Sequence, residues 1–161
     1  MFTFMAFASL MLATASTAQQ EPARLALLIG NKGYTAKVGP LQNPHTDVDL
    51  VEKALKSIGF RVTVLKDASY KQMDTALKRY VTEVRRAGPN ATSFFYYSGH
   101  GVANPETQIN YLIPVDVADA DDDKVWFEAF QHNTVVDLLT RQAANAVHYV
   151  VLSYRQILVT A

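Results

Sequence analysis

The run TSFFYYSGHG (92–101) ends on a histidine held between two glycines, and His100 is the residue of this 161-residue chain best placed by type to do chemistry. By itself such a histidine is either a structural residue in a tight glycine turn or a proton carrier for a nucleophile beside it. A thiol partner is excluded because the chain has no cysteine, which also removes disulfides and thiolate metal sites. A hydroxyl partner is Ser153, at the end of a second apolar run, VHYVVLS (147–153). A serine hydroxyl needs a well-oriented base before it attacks anything. His45, His132 and His148 share no ligand spacing and read as surface or capping residues. The acidic run DADDDK (119–124) fails the calcium-loop pattern, since Lys124 stands at the glycine position and Phe130 at that of the bidentate acid. A solvated acidic loop with no metal is expected. IGNKGY (29–34) has neither the dinucleotide nor the P-loop glycine pattern, so no nucleotide or other cofactor is expected.

The elements around these residues alternate short apolar runs with longer amphipathic ones, the pattern of a parallel sheet covered by helices. RLALLIG (24–30) reads as a strand buried on both faces. Asn43 and Pro44 read as the start of a helix in which Val48, Val51, Leu55 and Ile58 share a face until Gly59. FRVTVL (60–65) alternates as a strand, and Ser69 with Gln72 forms a capping box for a helix with Met73, Leu77, Tyr80, Val81 and Val84 on one side. TSFFYYSG (92–99) is then a strand that delivers His100 at its C-terminal end. NYLIPVD (110–116) is a short strand, 134–144 a modest helix, and 147–153 a fourth central strand. In open parallel sheets chemistry gathers beyond the C-terminal strand ends, which is where His100 and the residues after Leu152 could meet.

Fifteen basic and fifteen acidic residues cancel, so no long-range attraction to nucleic acid or an anionic membrane is written in the charge. The length suits one domain. Residues 1–18 are apolar up to Ala15 and end on Ser16-Thr17-Ala18, the small-x-small pattern of a cleaved export signal, too short for a membrane span. A periplasmic or secreted domain spanning 19–161, without a stable membrane anchor, is expected.

RLALLIGNKGY, LQNPHTDVDLVEKALKSIGFRVTVL, FFYYSGHG and NYLIPVD, in this order, resemble the caspase-like peptidases, in particular the p20-type domain of the bacterial metacaspase-like branch. The resemblance runs from Arg24 to about Leu152. It implies a three-layer α/β fold with a mostly parallel sheet, helices on both faces, and a C-terminal part that this chain lacks. It also implies a cysteine endopeptidase acting on peptide or protein substrates with a basic P1 residue. His100 would be the dyad histidine, and Asp47, Ser98 and Gly101 would line the substrate site. The expected cysteine strand reads YVVLSYRQ (149–156), and without a gap Ser153 falls at a family aspartate, Tyr154 at a small residue and Arg155 at the nucleophile. With a one-residue deletion Tyr154 takes that position. The expectation is a caspase-type domain that does not cleave peptides; the alternative is a peptide-binding or scaffold module. A last strand with an uncovered edge would favour self-association.

Overall fold

A computed structural model describes residues 21–120, 124–144 and 146–157. The segment read as an export signal and the centre of the acidic loop lie outside the described residues. The first strand, β1 (Arg24–Gly30), is buried from Leu25 onward, as its continuous apolar run requires. Helix α1 (Pro44–Ser57) starts on proline and buries Pro44, Val48 and Leu55, and Gly59 at a φ of 85° turns the chain out of it. Asn43 holds the N-cap position but makes no capping bond with its side chain. Strand β2 (Arg61–Lys66) follows, then α2 (Tyr70–Ala87), whose Ser69–Gln72 capping box forms in both directions. That box satisfies two N–H groups that would otherwise lack partners at the helix start.

Strand β3 (Thr92–Ala103) is the middle of the sheet and runs past His100 rather than ending before it. The reason lies in its neighbours. The last strand, β6 (Val147–Ile157), pairs with β3 in parallel from Thr92 to Val102 and takes one whole edge. On the other edge β1 pairs in parallel only from Thr92 to Ser98, and β4 (Asn110–Leu112) completes that edge in antiparallel at residues 101–103. β2 flanks β1 in parallel, and β5 (Phe130–Gln131) flanks β4 in antiparallel. The sheet is therefore mixed, in the order β2-β1-β3-β4-β5 with β6 on β3. The expected strand at 110–116 stops at Leu112, short of Pro114, which has no N–H for a ladder. A short helix, α3 (Val125–Glu128), precedes β5, and α4 (His132–Gln142) follows it.

Alternation along the strands sends side chains to two faces. Ala26, Leu28 and Tyr96 meet Val48 and Leu55 of α1 on one face. Leu25, Leu27, Ile29, Phe95 and Tyr97 meet Met73, Leu77 and Val81 of α2 and Val135 and Leu139 of α4 on the other. Each of the larger buried side chains contributes about 1.5–3 kcal/mol relative to exposure. β6 was expected as a central strand, yet among the described residues it pairs with β3 alone, and Val147, Tyr149 and Val151 are exposed on the α1 face of the sheet, in register with Thr92, Phe94 and Tyr96.

Candidate active site

Asp47 reaches the sheet because Gly30 has no side chain. A Cβ at Gly30 would come within 2.7 Å of the Pro44 carbonyl and 3.0 Å of Val48, so only glycine lets the first turn of α1 lie against the end of β1. Gly30 is in register with Ser98 on β3, and across that gap Ser98 Oγ donates a 2.8 Å hydrogen bond to Asp47 Oδ2. Ser98 is in register with Ser153 on β6. Paired residues of parallel strands face the same way, so Ser98 and Ser153 line one cleft with Asp47. The cleft has a volume of about 470 Å³, and Gln42, Asn43, Tyr154 and Arg155 also border it. A groove of similar size between β2 and α2, lined by Leu27, Leu65 and Tyr80 among others, holds none of these residues.

His100 is buried, and each ring nitrogen lies beside a main-chain carbonyl. Nε2 lies 2.8 Å from the Gly39 carbonyl and Nδ1 3.3 Å from the Arg155 carbonyl. A carbonyl only accepts, so the shorter contact places the single proton of a neutral ring on Nε2. The Tyr34 ring packs edge-on against the imidazole at a centroid distance of 4.7 Å. The backbone is held just as firmly. The His100 N–H points past the end of β1, where no strand carbonyl remains, and donates to Tyr34 Oη at 2.9 Å. Tyr34 Oη donates to the Ile113 carbonyl at 3.0 Å and lies 3.1 Å from Tyr97 Oη, which contacts the carbonyls of His100 and Ile113. Asn31 completes the cluster, donating to Ala68 and Ile113 carbonyls and accepting from the Ala68 N–H. Burial pushes the Tyr34 hydroxyl up to about 12 and raises that of Tyr97 well above its usual value, so both stay protonated.

Asn31 and Tyr34 belong to the IGNKGY segment, and their polar groups are spent inward on this network rather than on a phosphate. Tyr97 belongs to an aromatic run that reads as plain core. The only available sign of their role was a polar or phenolic residue inside otherwise apolar strands. Asp67 was also missed: it accepts the N–H groups of Lys32 and Gly33, both at 2.8 Å, and anchors the same loop. Burial acts to raise its carboxyl, but those two N–H groups and His45 hold it below the usual value. His45 Nε2 sits 3.1 Å from Asp67 Oδ2 without good hydrogen-bond alignment. His148, expected at the surface or as a cap, is half-buried and bridges Ser93 Oγ at 2.7 Å and the Ala143 carbonyl at 3.0 Å.

The register places Arg155 directly beside His100. Gly101 lies under the Tyr154 ring, where a Cβ would meet Cδ2 at 2.5 Å; it is a packing site in this chain. The Ser153 hydroxyl makes no hydrogen bond to the imidazole, and no thiol exists to do so. The sheet thus carries a buried histidine on its middle strand and a carboxylate-bearing cleft beside it. The caspase-domain family model matches residues 23–153, and the chain belongs to that family. None of the curated proteins compared with it matches. It is a caspase-family domain without a cysteine.

Proposed function

We propose that this domain does not hydrolyse peptides and instead holds peptide segments through a basic side chain in the Asp47 cleft. One observation carries the reading: the His100 ring lies between two main-chain carbonyls, its Nε2–H donating to that of Gly39, and among the described residues it meets no hydroxyl, while the Asp47 carboxylate lines an open cleft. A cysteine peptidase needs a thiolate that the imidazole can form and later relieve by protonating the leaving amine. Binding and electrostatic help without a nucleophile leave only a small residual acceleration. Ser98 fixes the Asp47 carboxylate and leaves its second oxygen for a lysine or arginine.

The purified chain, given fluorogenic peptides with Arg or Lys before the scissile bond, should show no turnover with or without calcium. It should bind the same peptides, and Asp47→Ala should weaken that binding. Turnover that survives iodoacetamide but disappears in His100→Ala would overturn the reading and make Ser153 the nucleophile. Export belongs to the same proposal: material from a secreting host should have the mass of a chain beginning at Gln19. Met1 retained in a membrane fraction would refute it; among the described residues no helix is long and apolar enough to cross a membrane.

A further inference from the structure

The cleft that contains Asp47 also contains a charge of the opposite sign. Arg155 borders it, is exposed, and has no ion-pair partner among the described residues. Asp47 meets Ser98 and not the guanidinium, so the two charges share one cleft without neutralising each other. Their separation follows from the strands. Asp47 sits at the level of the Ser98–Ser153 pair, and Arg155 is two residues further along β6 on the same face, a rise of about 6.6 Å. The other residues at the rim, Gln42, Asn43 and Ser153 among them, are uncharged.

A ligand that satisfies both ends needs a cation over Asp47 and an anion over Arg155, roughly one long side chain apart. A lysine or arginine inside a peptide offers the cation only, and its neutral carbonyl leaves the guanidinium without an anion. The same residue at a chain end offers both, since its α-carboxylate lies one side-chain length from its cationic head. Guanidinium and carboxylate also match as a planar two-bond pair. Resting on the reading of Asp47 as the partner of a basic side chain, we propose that the cleft selects peptides ending in a free C-terminal arginine or lysine. Such ends are the products of a protease that cuts after basic residues, and this chain would hold them rather than make them.

Four N-terminally labelled peptides test this by fluorescence anisotropy: one ending in arginine as the free acid, the same peptide as the amide, the acid extended by two glycines, and the acid with citrulline for arginine. The free acid should bind the full chain about tenfold more tightly than the amide or the extended peptide, the scale of one charge-assisted pair at a partly exposed site. Arg155→Ala should erase that preference while both peptides still bind, and Asp47→Asn should weaken acid and amide by the same factor. Equal binding of acid, amide and extended peptide would overturn this inference and leave the basic-segment reading standing. Binding of the citrulline acid as tight as that of the arginine acid, or no binding of any peptide, would overturn both.

Discussion

Replacing Tyr34 by phenylalanine removes one oxygen and should cost far more than that atom's size suggests. The Tyr34 hydroxyl stands where β1 has ended and β4 offers no carbonyl, and it is the acceptor for the buried N–H of His100 at 2.9 Å. Tyr34 is only 6% exposed, so water does not replace it. A buried donor left without a partner costs about 1–3 kcal/mol, and the lost bond to the Ile113 carbonyl adds a few tenths because Tyr97 and Asn31 still contact that oxygen. A loss of about 1.5–3 kcal/mol follows, or a fall in Tm of about 3–12 °C for a chain of this size. Tyr97→Phe is the control. Its two acceptors keep other donors, the Ile113 N–H on the His100 carbonyl and Asn31 on that of Ile113, so the cost should be about 1 kcal/mol. Urea unfolding followed by far-UV circular dichroism measures both. A Tyr34→Phe loss under about 0.5 kcal/mol, or a Tyr97→Phe loss as large as that of Tyr34→Phe, would refute the idea that this hydroxyl stands in for a missing strand carbonyl.

Asp67 titrates below its usual value in the folded protein, so its stabilisation is present above the unfolded-state value near 3.8 and is lost as pH falls through the lower folded value. Wild type should therefore lose more stability on acidification below about pH 4 than Asp67→Asn, which retains an acceptor oxygen for Lys32 and Gly33; parallel pH profiles of Tm would contradict this. Gly101→Ala drives a Cβ into the Tyr154 ring and should cost about 1–3 kcal/mol, whereas in a Tyr154→Ala background the same change should be nearly neutral. Additive effects of the two substitutions would count against the contact. The exposed stripe Val147, Tyr149 and Val151 beside the outer edge of β6 suits antiparallel pairing with a second copy, which keeps Arg155 away from its own symmetry mate when the pairing centres near Val151. Light scattering should show concentration-dependent mass that Val151→Lys abolishes, and a wild-type mass that stays monomeric at all concentrations would dismiss the pairing.

Periodicity and punctuation alone were enough to place β1, α1, β2, α2 and the start of β3, because each is amphipathic or apolar at its own repeat and is bounded by Gly30, Pro44, Gly59 or the Ser69 box. The resemblance carried by the blocks around Asp47 and His100 likewise anticipated the family, and the missing cysteine is a fact of composition that no fold could alter. Tertiary structure decided where β3 ends, since its last residues are strand only because β6 and β4 supply partners for them. It also decided what His100 touches. Gly39 and Arg155 lie 61 and 55 residues away in the chain, and no local pattern reports a contact between a ring nitrogen and so distant a carbonyl. The same holds for the Asp47–Ser98 bond, for the inward use of Asn31 and Tyr34, and for the meeting of Asp47 with Arg155 in one cleft. Local sequence specifies which way a side chain points from its own strand or helix; which groups then face one another depends on strand order and register, and those are set by the packing of the whole sheet.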